Sequence, residues 1–148
     1  MTRPPHILLV EAPYYTHIAE MLRDGAKRAI EAAGATCEIV TVPGAFEIPG
    51  AIRIAAQSVD RFDGYVGLGC VIRGETTHFD HVCTESARGM QDLAARDGIA
   101  VGFGVLTCEN EAQALPRADP NRRDKGGEAV RACLALIDLR RHFQSARQ

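Results

Sequence analysis

GYVGLGCVI, residues 64–72, carries no charged side chain, and its strand portion, 65–72, is too short for a helix of ordinary length. A strand apolar on both faces must be covered on both, which is the pattern of a parallel sheet with helices on each side. Downstream, Val82, Ser86, Met90 and Leu93 recur at three- and four-residue steps, predicting a helix over 78–96, and a further strand follows at 100–106. Upstream, a β-branched run at 7–10 precedes a helical stripe through Ile18, Leu22, Ala26, Ala29 and Ala33, which Gly34 ends. A second strand, 36–42, runs into Pro43-Gly44, and Ile48, Ile52, Ala55 and Val59 then mark another helix. Beyond the fourth strand come a short helix at 111–117, a polar loop at 119–124 and a final helix carrying Val130, Cys133, Leu134 and Ile137.

Strands alternating with helices in this way predict an α/β fold of flavodoxin-like type: a three-layer α/β/α sandwich around a four-stranded parallel sheet. All 148 residues fit one domain, 1–148. Seventeen basic against nineteen acidic side chains give a net charge of -2, which argues against nucleic acid or an anionic membrane as partner. No apolar run approaches the length of a spanning helix and the start lacks a signal pattern, so the expected location is cytoplasmic. The five cysteines are widely spaced without a Cys-x-x-Cys pair and read as buried thiols.

In a parallel sheet every strand exit lies on one edge, so segments 11–15, 43–47, 73–78 and 107–110 should converge. The stretch IRGETTHFD, 72–80, is the most informative: Gly74 permits a tight turn, and Thr77 can cap a helix with Asp80 at its third position. The amides of 74–77 would then face outward at the positive end of a helix dipole, suiting a phosphate, although an ordinary capped turn explains the residues as well. His78, in the first turn, is placed for proton transfer as a neutral ring, or is simply solvated. His81 has no third ligand at suitable spacing, so no metal is expected.

VPGAFEIP, 42–49, sets Phe46 beside Glu47, an aromatic plate next to a carboxylate; the plain alternative is a helix start. Tyr14 and Tyr15 could stack on a planar ring or cover a subunit contact. Arg117, Arg122, Arg123 and Lys125 supply cations near the polar loop. The first exit, EAPYY, is no Gly-x-Gly-x-x-Gly turn, and GLGCVIRG fails that spacing, so neither dinucleotide nor triphosphate binding is supported. A Gly-x-Ser-x-Gly elbow is also absent.

Through VPGAFEIP, GCVIRGETTHFDHV (69–82), FGVLTCEN (103–110), QALPRA (113–118) and DKG (124–126), the chain resembles the 6,7-dimethyl-8-ribityllumazine synthases. The resemblance implies condensation of 5-amino-6-(D-ribitylamino)uracil with 3,4-dihydroxy-2-butanone 4-phosphate, releasing phosphate and water without a cofactor. Matched residue by residue, it implies catalysis by His78 and Arg117, with phosphate held around Gly74, Glu75 and Thr76. It assigns the pyrimidine and its ribityl tail to Tyr14, Ala45, Phe46, Glu47, Cys70, Val71 and Ile72. Phe103, Arg117 and Lys125 would come from a neighbouring chain of a homo-oligomer, a pentamer or an assembly of pentamers. Tyr14, Cys70 and Cys108 depart from the family's usual residues at their positions. A non-catalytic lumazine- or flavin-binding carrier or shell protein is the alternative reading.

Overall fold

The computed structural model describes residues 3–147, so Met1, Thr2 and Gln148 of the expected domain lie outside the described residues. Four strands, β1 (His6–Glu11), β2 (Thr36–Thr41), β3 (Gly64–Ile72) and β4 (Val101–Cys108), form one sheet in the order β2-β1-β3-β4. Every neighbouring pair is parallel. The helices are α1 (Thr16–Ala32), α2 (Ile48–Ser58), α3 (His78–Ala95), α4 (Glu111–Ala118) and α5 (Lys125–Ala146), with a 3₁₀ turn at Ala45–Glu47 before α2.

The period-2 alternation of the strands sorts their side chains into two cores. Ile7, Leu9, Val66, Leu68, Leu106 and Cys108 meet α1, α4 and α5 on one face. On the other, Leu8, Val10, Tyr65 and Val105 meet the 3₁₀ turn, α2 and α3. This is the expected three-layer sandwich, and each fully buried aliphatic side chain contributes roughly 1.5–3 kcal/mol. The glycines of the central strands let helices approach. A Cβ on Gly67 would come within 2.7 Å of Ile48 Cγ2 on α2, and one on Gly102 would collide with the Ala129 carbonyl of α5.

Several boundaries differ from expectation. β4 runs on to Cys108 because Thr107 and Cys108 pair with Val71 and Ile72, so the fourth exit begins only at Glu109. β2 is an edge strand, and its Ile39 and Val40 remain exposed instead of being covered on both faces. Ala33 caps α1 and is exposed; Ile30 takes the inward position, and Gly34 leaves the helix at φ 68°. Val59 likewise is the extended residue that ends α2. Cys70, Cys108 and Cys133 are buried, but Cys37 and Cys83 are only half-buried. No helix among the described residues is long and apolar enough to cross a membrane.

Candidate active site

The strand order reverses direction between β1 and β3, and in a sheet of this kind the crevice beyond the strand ends at that point is where ligands bind. A cavity of about 550 Å³ lies there. Three strand exits and the start of α3 line it.

The first exit leaves β1 through Ala12, whose N–H donates to Leu68 O at 2.9 Å, and turns back with Tyr14 N–H on Ala12 O at 3.0 Å. That turn projects Tyr14 outward, 75% exposed, while Tyr15 packs against the core and meets the Tyr14 ring edge-on at 4.9 Å. Burial, more than the neighbouring Cys70 and Tyr14, pushes the Tyr15 phenol up. At the second exit the 3₁₀ turn closes by Glu47 N–H donating to Gly44 O at 3.1 Å. Ala45 anchors this turn in the core, leaving Phe46 and Glu47 on the cavity wall. Glu47 stands where α2 starts but caps none of its amides, so its carboxylate is free for the cavity.

Cys70, Val71 and Ile72 form the floor at the end of β3, and His78 and Val82, one turn apart on α3, form the far side. Burial pushes the Cys70 thiol up to about 12, with Cys108, Cys83 and Glu111 adding to the effect. Its burial and neutral thiol make it an apolar part of the wall. Burial raises the Cys83 and Cys108 thiols too.

Between β3 and α3, the amides of Gly74, Glu75, Thr76 and Thr77 donate to no acceptor among the described residues. The expected Thr77 cap is absent: its backbone is already helical and its hydroxyl bonds nothing at the helix start. Thr76 takes that role, its Oγ1 accepting from His78 N–H at 3.2 Å. Asp80, freed from the cap, pairs instead with Arg73 at 3.2 Å. Amides without an internal acceptor, which an anion needs, are thus present although the local capping differs.

Of the residues expected at the site, Tyr14, Ala45, Phe46, Glu47, Cys70, Val71, Ile72 and His78 line the cavity together. Gly74, Glu75 and Thr76 sit in the exposed turn at its border, outside the lining. Phe103, Arg117 and Lys125 are not on its wall. Phe103 is 40% exposed on the edge strand β4, Arg117 Nη1 donates to Gln113 O of its own helix at 2.7 Å, and Lys125 Nζ pairs with Glu128 at 3.1 Å. Tyr15, offered with Tyr14 as a stacking aromatic, also lines the cavity, as do Pro43, Gly44 and Val82, which carried no assigned role. Their signal was position: three lie in the exit segments, and Val82 is one helical turn beyond His78. No group of His, Cys, Asp or Glu among the described residues is arranged to hold a metal.

The model of the 6,7-dimethyl-8-ribityllumazine synthase family matches residues 4–141. The chain belongs to that family. A 6,7-dimethyl-8-ribityllumazine synthase of Novosphingobium aromaticivorans is 59% identical over 136 residues, which span 92% of this chain and 96% of that protein. Another, from Sphingopyxis alaskensis, is 56% identical over 138 residues, 93% of this chain and 96% of that protein. The 6,7-dimethyl-8-ribityllumazine synthase 1 of Rhizobium meliloti is 53% identical over 145 residues, 95% of each. The lumazine synthase match takes in every strand exit that builds the cavity, so it covers the site as well as the scaffold.

Proposed function

We propose that the protein condenses 5-amino-6-(D-ribitylamino)uracil with 3,4-dihydroxy-2-butanone 4-phosphate in this cavity. The activity is that of a 6,7-dimethyl-8-ribityllumazine synthase, a transferase reaction of riboflavin biosynthesis. The observation that carries the assignment of roles is the convergence of His78, Phe46 and Glu47 with the end of β3 on one cavity, beside a turn of unbonded amides.

The reaction needs an amine to meet a ketone, phosphate to depart and a second carbonyl to close the ring, all within one pocket. Tyr14 and Phe46 hold the pyrimidine face while Cys70, Val71 and Ile72 present the strand edge to it. Glu47 accepts hydrogen bonds from the ribityl hydroxyls. His78 moves the protons between amine, carbonyl and leaving water. The Gly74, Glu75 and Thr76 amides hold the phosphate at the start of α3, where the helix dipole favours its negative charge.

Arg117 supplies the opposing cation as phosphate leaves. Because Arg117, Phe103 and Lys125 stand away from the cavity of their own chain, a neighbouring copy delivers them, in a cyclic pentamer or an assembly of pentamers. The whole chain, 1–148, acts as one domain, and five unpaired thiols suit a reducing cytoplasm.

The test is to mix the purified protein with both substrates and follow the lumazine chromophore together with inorganic phosphate. Equimolar appearance of the two is expected. Binding of the pyrimidine with no chromophore and no phosphate would leave a carrier in place of an enzyme.

A further inference from the structure

Arg73, the first residue after β3, is involved in more cross-links than any side chain lining the cavity, yet it does not line the cavity itself. Its N–H donates to Cys108 O at 3.0 Å, extending the β3 to β4 ladder by one step. Its Nε donates to Glu109 Oε2 at 2.7 Å, and Nη2 and Nη1 donate to the two Asp80 oxygens at 3.2 and 3.4 Å. The guanidinium carbon lies 4.4 Å from the centre of the Phe79 ring. One planar fork therefore ties the exit of β4 to the first turn of α3, across the base of the 74–77 turn.

That turn has little else to hold it. A Cβ on Gly74 would meet nothing within 4 Å, Thr77 makes no side-chain cap although its carbonyl accepts from Asp80 and His81 N–H at 3.0 and 3.3 Å, and the Thr76 to His78 bond is local. There is also an electrostatic problem at this place. Asp80 lies in the first turn of α3, where a carboxylate competes with a bound anion for the same helix end, and Glu109 adds a second negative charge nearby. Arg73 engages both carboxylates at once.

We propose that Arg73 is a positioning residue for phosphate recognition: it fixes the 74–77 turn and neutralises Asp80 and Glu109 so that a phosphate is not repelled. This rests on the reading of that turn as the phosphate site. Lys cannot reproduce the fork, since it offers a point charge in place of fixed parallel donors.

The experiment compares wild type, Arg73→Ala, Arg73→Lys and Arg73→Ala with Asp80→Asn, each first checked for unchanged assembly by sedimentation. Inorganic phosphate binding is measured by calorimetry and the KM of each substrate by steady-state kinetics. In Arg73→Ala, phosphate Kd and sugar-phosphate KM should rise about three- to tenfold at low salt, with pyrimidine KM nearly unchanged. Arg73→Lys should fall between, and the double variant should recover part of the phosphate affinity because the repelling carboxylate is gone. Equal changes in both KM values, or a further loss in the double variant, would overturn the proposal. Wild type that binds phosphate without forming lumazine would remove the enzymatic reading alone, and the calorimetric series would still decide the role of Arg73. Wild type that forms lumazine but binds no phosphate would remove both the phosphate turn and this role.

Discussion

Gly67 and Ile48 are in a contact that only glycine allows: a Cβ on Gly67 would stand 2.7 Å from Ile48 Cγ2. Ile48 opens α2 directly after the 3₁₀ turn that carries Ala45, Phe46 and Glu47 on the cavity wall. The missing side chain on β3 thus sets how closely that wall sits over the sheet.

Gly67→Ala should therefore couple stability to binding. Forcing a methyl into this contact displaces Ile48 or the strand and should cost about 1–3 kcal/mol. The urea midpoint at fixed protein concentration should fall with little change in slope, and the pyrimidine KM should rise more than the sugar-phosphate KM. An unaltered midpoint and unaltered kinetics would show that the packing has room the distance denies.

At the opposite end of the sheet, Glu38 accepts from Arg61 Nε and Nη2, both at 2.8 Å, and lies 2.8 Å from His6 Nε2. The guanidinium first and then His6 lower the Glu38 carboxyl from 4.5 to about 2. A carboxyl depressed in the folded chain contributes stability that is complete above its unfolded pKa and is lost as pH falls through the folded one. Stability from this cluster should accordingly decline between pH 4.5 and about 2. Urea midpoints measured across that window should fall less steeply in Glu38→Gln than in wild type, and parallel curves would remove Glu38 from the acid response.

Replacing His78 by Gln, close in size but unable to exchange protons near neutral pH, should lower kcat by roughly ten- to ten-thousandfold with a smaller change in pyrimidine KM. Steady-state rates equal to wild type would take His78 out of the chemistry.

The sheet was legible because GYVGLGCVI has no charged position to point at water, and the Val82, Ser86, Met90 and Leu93 stripe of α3 is buried throughout. Edge position was not legible: Ile39 and Val40 of β2 have the same residue types as covered strands, and only the strand order leaves them exposed. The extra length of β4 depends on Thr107 and Cys108 finding partners in Val71 and Ile72, a long-range pairing that local propensity does not encode. At the site, the exit segments could be named from the sheet alone, which brings Tyr14, Phe46, Glu47 and His78 to one cavity. The Thr77 cap failed because the Thr77 backbone is itself helical and its carbonyl already accepts from Asp80 N–H at 3.0 Å, while the Asp80 carboxylate pairs with Arg73 seven residues back. A capping pattern read from residue types cannot reveal either.

The proposed reaction site lies at a boundary, using His78 of one chain and Arg117 of the next. The most direct measurement is complementation between a His78→Gln protein and an Arg117→Ala protein, each nearly inactive alone. The two are dissociated together, reassembled, and assayed for the lumazine chromophore, with subunit exchange verified by mass. A mixed boundary can take a native His78 from one chain and a native Arg117 from its neighbour, so co-assembled oligomers should regain a fraction of wild-type activity that neither parent shows. Unexchanged mixtures should regain none. Verified mixing without recovered activity would place both residues in the same chain's site and contradict the account.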